Sequence, residues 1–192
     1  MSFDYQDTKL RERLRNSQAL SYPEKIAIIR ALVGEAYPDN PRIADLGCGE
    51  APVFKHSVNV DIYPAKGVIV ADLNKEMPLG PKAYDVVLAV DIIEHLYDVD
   101  TFVRNANKIL KKGGMFVIST PNVLYWRNRL ELLFGSDRHF DHKGEHLHFF
   151  SPRSLMDLLS LNGFDAFRIY PIGISKLLPS MAGGFICVAR KC

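Results

Sequence analysis

The 192-residue sequence predicts an α/β protein on a doubly wound, mostly parallel sheet. Three observations lead there. Short runs around Ile43-Ala44, Ser57–Val60, Gly67–Ala71 and Tyr84–Val90 are apolar nearly throughout, the pattern of strands buried on both faces. Each run ends in an aspartate, at Asp45, Asp61, Asp72 and Asp91. Stretches with helical spacing alternate with the strand-like runs of the second half.

The elements follow in order. Thr8 to about Leu20 and Pro23 to Ala36 read as an N-terminal helical region, with Ser21 a candidate cap and Pro23 allowed in a first helical turn. From Asp98 to Leu110, Phe102, Val103, Ala106, Ile109 and Leu110 recur at helical spacing, and Gly113 lies just beyond the end. Val123 to Phe134 is expected to be a helix capped by Asn122 and stopped by Gly135. Ser151 caps another that begins at Pro152 and ends near Asn162-Gly163. Strands at Ala166 to Tyr170 and Gly184 to Arg190 close the chain.

The early connections are short. Residues 50–56 and 62–66 leave no room for the helix of a parallel crossover, which normally takes a dozen residues or more. Two helices are therefore expected to be missing from one face of the sheet. Residues 3 to 36 are the material available to replace them, and the N-terminal segment, with Tyr5, is expected to fold over the site.

Composition fits one domain over residues 1–192, with 1–36 as a helical cover and 40–190 as the core. Apolar residues make up 47% of the chain and the net charge is +2, so nothing calls for a nucleic-acid partner. Lys9, Arg11, Arg13 and Arg15, with Glu12 among them, read as a solvated helix face. No apolar run reaches the roughly 20 residues that span a bilayer. The three cysteines form no C-x-x-C pair and the N-terminus has no signal-peptide pattern, so a reduced, cytoplasmic protein is expected. A homo-oligomer is compatible with all of this.

Residues 41–50 carry the strongest functional signal. A strand ending in Asp45-Leu46 runs into Gly47-Cys48-Gly49, so the backbone can turn sharply and approach something bound at the strand's carboxyl end. A dinucleotide loop needs a third glycine where this chain has Pro52. The string Asp45-Leu46-Gly47-Cys48-Gly49 instead resembles the first motif of class I S-adenosylmethionine (SAM) methyltransferases, with Ala51 in place of that motif's last glycine. The resemblance extends over about residues 40 to 190. It includes the run of strand-end aspartates, Leu110–Ile118, and His148-Phe149-Phe150-Ser151-Pro152 with the leucines that follow. Within that family the sequence resembles the broad small-molecule group that includes ubiquinone-biosynthesis O-methyltransferases.

That resemblance implies a Rossmann-like sheet of seven strands in the order 3-2-1-4-5-7-6, the last strand antiparallel, with helices on both faces. It implies SAM as cofactor, held by Asp45, Leu46, Gly47, Cys48, Gly49, Asp61, Ile62, Asp72, Leu73, Val90 and Asp91. Asp61 would take the ribose hydroxyls, Asp72 and Leu73 would flank adenine, and Val90 and Asp91 would line the methionine. The implied reaction is methyl transfer to a small-molecule acceptor. A SAM-binding regulatory domain without catalysis is the alternative, suggested by the shortened cofactor half and Ala51.

Glu94, His95 and His146 are the candidate catalytic residues, because histidine titrates near neutrality and the run Asp91–His95 directly follows a strand end. Asp137, His139, Asp141, His142, Glu145, His146 and His148 form a dense cluster, read as a loop that lines the substrate pocket or caps an element, without a metal. Tyr125, Trp126, Arg127 and Arg129 lie where the family places a lid over its substrate.

Overall fold

The computed structural model describes residues 22–136, 145–173 and 181–192. Their order is α1 (Tyr22–Ala36), β1 (Ile43–Leu46), β2 (Val58–Asp61), β3 (Val68–Val70), β4 (Tyr84–Val90) and a single 3₁₀ turn (Ile93–His95). Then come α2 (Val99–Ile109), β5 (Leu110–Pro121), α3 (Trp126–Leu133), α4 (Pro152–Leu161), β6 (Phe164–Ile172) and β7 (Gly184–Lys191).

One seven-stranded sheet, ordered β3-β2-β1-β4-β5-β7-β6, organises the molecule. The five strands from β3 to β5 are parallel, with Asp45 opposite Asn59 and Leu46 opposite Ala89. β7 runs antiparallel to both β5 and β6. The carboxyl ends of β1, β2 and β4 therefore open on one crevice, the place where ligands of such sheets bind.

Alternation along the strands sends side chains to two cores. On one face Ala44, Val87, Phe116 and Cys187 meet Phe102, Val103, Ala106 and Ile109 of α2 and Leu155 and Leu159 of α4. Phe116 is the hinge of that core, its ring 6.3 Å from Phe102 and 5.3 Å from Phe164. Local signals fix the helix starts: Asp98 accepts a 2.9 Å bond from the Thr101 amide, and Ser151 forms a capping box with Ser154.

On the other face Ile43, Val86, Leu88, Val117 and Ile186 pack against Ile26, Ile29 and Val33 of α1. Ile29 is fully buried, and burying such a side chain contributes about 2–3 kcal/mol. The early connections hold no helix, as their length requires, and α1 takes over the vacant face. Beyond α1 a cavity of about 270 Å³, lined by Leu32, Glu35, Met115, Arg168, Tyr170 and Arg190, remains between the helix and the β6 edge.

The structure corrects several boundaries. The helix expected over Val123–Phe134 starts at Trp126, and Asn122 does not cap it. Its Oδ1 instead accepts the Leu124 amide at 3.0 Å and its Nδ2 donates to the Ala182 carbonyl, a local turn that competes with helix initiation. Leu110 opens the long strand β5 rather than closing α2, with Gly113 at φ +72°. The strand expected at Ala166–Tyr170 runs from Phe164 to Ile172, bulged where Ala166 takes φ +51°. The helix expected at Thr8–Leu20, its basic cluster, Ser21 and Tyr5 lie outside the described residues.

Candidate active site

The glycine turn is built by three sets of contacts. Gly47 at φ +74° donates its amide to the Val60 carbonyl at 2.8 Å, and a Cβ there would sit 2.5 Å from Cγ1 of Ile92. Gly49, at φ +56°, donates its amide to Oδ2 of Asp61 at 2.8 Å, and nothing lies within 4 Å of where its Cβ would be. Both positions call for glycine, the first for packing and conformation, the second to leave the crevice open above the turn. Oδ1 of Asp61 accepts the Tyr63 amide at 3.0 Å, so the carboxylate is oriented on both oxygens and keeps lone pairs for a diol.

Asp45 acts below this surface. It is 1% exposed and accepts the Val53 amide at 2.8 Å, which ties down the loop that replaces the missing helix. Burial pushes its carboxyl up to about 6, against the opposing Val53 bond, with Asp61 adding repulsion. Burial, with the charges of Asp45 and Asp61, pushes the Cys48 thiol up to about 12, which disfavours its thiolate form. Ile62 stands exposed at the crevice rim. Asp72 turns its carboxylate to Asn74 and Lys75, while Leu73 is buried in the core.

Helix α1 reaches the same crevice. Tyr22 donates to the Ala51 carbonyl at 3.4 Å, and Arg30 holds the Val53 carbonyl with Nε at 3.0 Å and Nη2 at 2.8 Å. Lys25, buried on the inner side of α1, forms an ion pair with Asp91. The Ser119 hydroxyl donates to Oδ1 of Asp91 at 2.8 Å. Asp91 itself takes φ +51°, the left-handed region, just past half-buried Val90. Lys25, Ser119 and Thr120 escaped the sequence reading. One signal for Lys25 was present: it shares an apolar stripe with Ile29 and Val33, where a cation must find a partner.

The 3₁₀ turn after β4 brings the proton-handling groups together. Glu94 is 1% exposed; its Oε2 accepts the Thr120 hydroxyl at 3.1 Å and its Oε1 is buried without a partner. Burial, with the charge of Asp91 next, pushes its carboxyl up to about 8. The Glu94 carbonyl accepts the Leu147 and His148 amides, which lays the 145–150 segment against the turn. Nδ1 of His95 lies 3.0 Å from the Glu145 carbonyl, and a carbonyl can only accept. Nδ1 therefore carries the hydrogen, and Nε2 keeps the lone pair of the neutral ring. The His146 ring stands edge-on to His95 at 4.9 Å. All three expected catalytic residues thus converge: one candidate ligand atom from each of Glu94, His95 and His146 falls within 4.8 Å of the others. That geometry also suits a divalent cation, although the histidine cluster that includes His146 reads in the sequence as a loop without a metal, and its spacing does not set Glu94 and His95 beside it. His148 stacks on Phe150 instead. Residues 137–144, with Asp137, His139, Asp141 and His142, lie outside the described residues.

A glycine turn locked to a strand-end carboxylate, on a sheet ordered 3-2-1-4-5-7-6, defines the class I methyltransferase architecture. Residues 19–168 match the family described as "Methyltransferase domain", and the chain belongs to it. It is 34% identical over 98 residues to a probable SAM-dependent methyltransferase of Mycobacterium tuberculosis, covering 42% of this chain and 35% of that protein. It is 32% identical over 97 residues to the human mitochondrial ubiquinone biosynthesis O-methyltransferase, covering 49% of this chain and 26% of that protein. The chain thus spans little more than a third of the length of the mycobacterial relatives and about a quarter of the human one. Among solved structures, a SAM-dependent methyltransferase of Thermotoga maritima, described as a possible histamine N-methyltransferase, superposes with a TM-score of 0.73. It is 18% identical, with 96% of each chain covered. No helix among the described residues is long and apolar enough to cross a membrane.

Proposed function

We propose that the chain transfers a methyl group from SAM to a small-molecule acceptor, and the ubiquinone O-methyltransferases among its relatives make an oxygen the first target atom to test. The observation that carries the reading is the bond from the Gly49 amide to Asp61, which fixes a carboxylate for a ribose diol beside a turn with open space above it. SAM has an adenosyl ribose, a cationic sulfonium and an amino-acid zwitterion. The buried pair of Lys25 and Asp91 complements the zwitterion, the lysine taking its carboxylate and the aspartate its ammonium. Asp72 and Leu73 follow β3, on the side that the resemblance assigns to adenine, and Leu46, Cys48, Ile62 and Val90 stand at or just past the carboxyl ends of β1, β2 and β4.

The sulfonium methyl is already electrophilic, so alignment of the acceptor within about 3–3.5 Å carries much of the rate. An oxygen nucleophile must also lose a proton. His95 suits that step: the Glu145 carbonyl holds its Nδ1 hydrogen and leaves Nε2 as the acceptor. Glu94, kept neutral at the burial-shifted value, sets no competing negative charge beside the base. His146, edge-on to His95, lines the acceptor side. The three free thiols fit a reducing, cytoplasmic compartment, and the chain acts as one unit in which α1 is the cover.

The test is calorimetric titration with SAM and S-adenosylhomocysteine, followed by transfer of labelled methyl groups to a panel of phenols and carboxylic acids. Binding of both adenosyl compounds with label incorporated into a phenolic oxygen is expected. Binding without incorporation on any acceptor would favour a regulatory SAM-binding domain. Repeating the turnover with a chelator distinguishes a proton-handling role for Glu94, His95 and His146 from a cation-holding one, which predicts loss of activity.

A further inference from the structure

Helix α3 is turned inside out. At 100° per residue, Trp126, Leu130, Leu133 and Phe134 fall at i, i+4, i+7 and i+8, one apolar stripe. A helix packed on a soluble domain buries such a stripe. Here the buried position is a polar one, Asn128, while Leu130, Leu133 and Phe134 are 43%, 76% and 82% exposed. Arg127 and Arg129 are exposed and flank the stripe on its two sides. The helix's acid, Glu131, is half-buried and off the stripe. The Val123 amide bonds the Phe150 carbonyl, which brings in Leu147 and Phe149, 42% and 40% exposed, beside the start of the helix.

We infer that this face docks on an anionic lipid surface, the α3 stripe entering the headgroup boundary and Arg127 and Arg129 pairing with lipid phosphates. An apolar stripe bordered by cations, with tryptophan at its edge, is the pattern of helices that lie in a membrane interface. The Arg127 guanidinium sits 5.3 Å from the Trp126 ring centre, so the cation and the interfacial aromatic are already held together. A second copy of the chain is the rival occupant. Two-fold packing of this stripe on itself would set arginine against arginine along both borders, whereas lipid phosphate neutralises them. The face begins just past Asn122, directly after the end of β5.

The chain has a single tryptophan, which makes Trp126 a direct reporter. The full chain is mixed with vesicles of phosphatidylcholine with and without phosphatidylglycerol, and sedimentation and tryptophan emission are read. Binding to the anionic vesicles alone is expected, with a blue shift and weakening by salt. The double variant L133E/F134E should reduce partitioning at least roughly tenfold, and R127Q/R129Q should abolish the preference for phosphatidylglycerol. SAM titration of each variant confirms that the fold survives, and this readout is independent of the vesicle result. Absence of vesicle binding, or binding unchanged in L133E/F134E, overturns the inference. So does a dimer in analytical ultracentrifugation that L133E/F134E dissolves while vesicles bind neither form.

Discussion

The Lys25 ammonium and the Asp91 carboxylate form an ion pair closed off from solvent on both sides, their side chains 8% and 6% exposed. The pair joins the covering helix to the end of β4, across 66 residues of chain. It also sits where the amino-acid end of SAM is proposed to bind.

Removing one partner of such a pair leaves a buried charge alone. K25M is expected to lower stability by about 3–5 kcal/mol, and K25M/D91N to recover most of that loss, because the charge cost disappears with its partner. Urea denaturation of the two variants checks this. SAM affinity should stay low in the double variant, since both anchors of the zwitterion are gone. Recovery of tight SAM binding in K25M/D91N would sink the assignment of the pair to the cofactor.

The two glycines of the turn are expected to fail differently. G47A forces a Cβ against Ile92 at positive φ, and strain of about 1–3 kcal/mol should appear in thermal unfolding. Adding I92A relieves the contact but not the backbone strain, so rescue should be partial. G49A meets open space, so its stability cost should be the smaller while SAM binding still weakens as the crevice fills. Calorimetric titration beside the melting curves separates the two.

Stability should fall with rising pH through neutrality. Glu94 has a raised carboxyl value in the folded state, so the native form holds its proton more tightly than the unfolded chain. That contribution is complete below about 4.5, declines as pH rises and is lost by about 8, at no more than roughly 1.4 kcal/mol per pH unit. Asp45 adds the same trend over the window from 3.8 to about 6. Urea midpoints from pH 5 to 8 should therefore slope downward, E94Q should flatten the curve between 6 and 8, and D45N should flatten only its lower part.

If His95 takes the acceptor's proton, H95Q should lower kcat by about 10²–10⁴ while SAM affinity stays near that of the parent. Equal losses in SAM affinity and turnover would instead mark His95 as part of the cofactor pocket.

The glycine turn was legible because turn chemistry is local: Gly47 and Gly49 need only their own φ angles and near neighbours. The helices α2 and α4 were legible for the same reason, through Asp98 and Ser151 as caps. The missing crossover helices could be read too, because chain length limits what seven residues can span. At α3 the helix expected from Val123 was three residues too long at its start. Asn122 is an excellent cap by type, but its amide found the Ala182 carbonyl, 60 residues away. Sequence spacing holds no record of that partner.

Strand composition, the strand-end aspartates and the family they resemble were determined by the sequence alone, since each depends on residues close in the chain. Tertiary structure decided the rest. Lys25 reaches Asp91 and Nδ1 of His95 reaches Glu145 only because separate elements converge at the sheet's carboxyl edge. Whether the α3 stripe faces core or solvent was likewise settled by packing, because an amphipathic helix has two sides and its periodicity does not say which one the rest of the molecule covers.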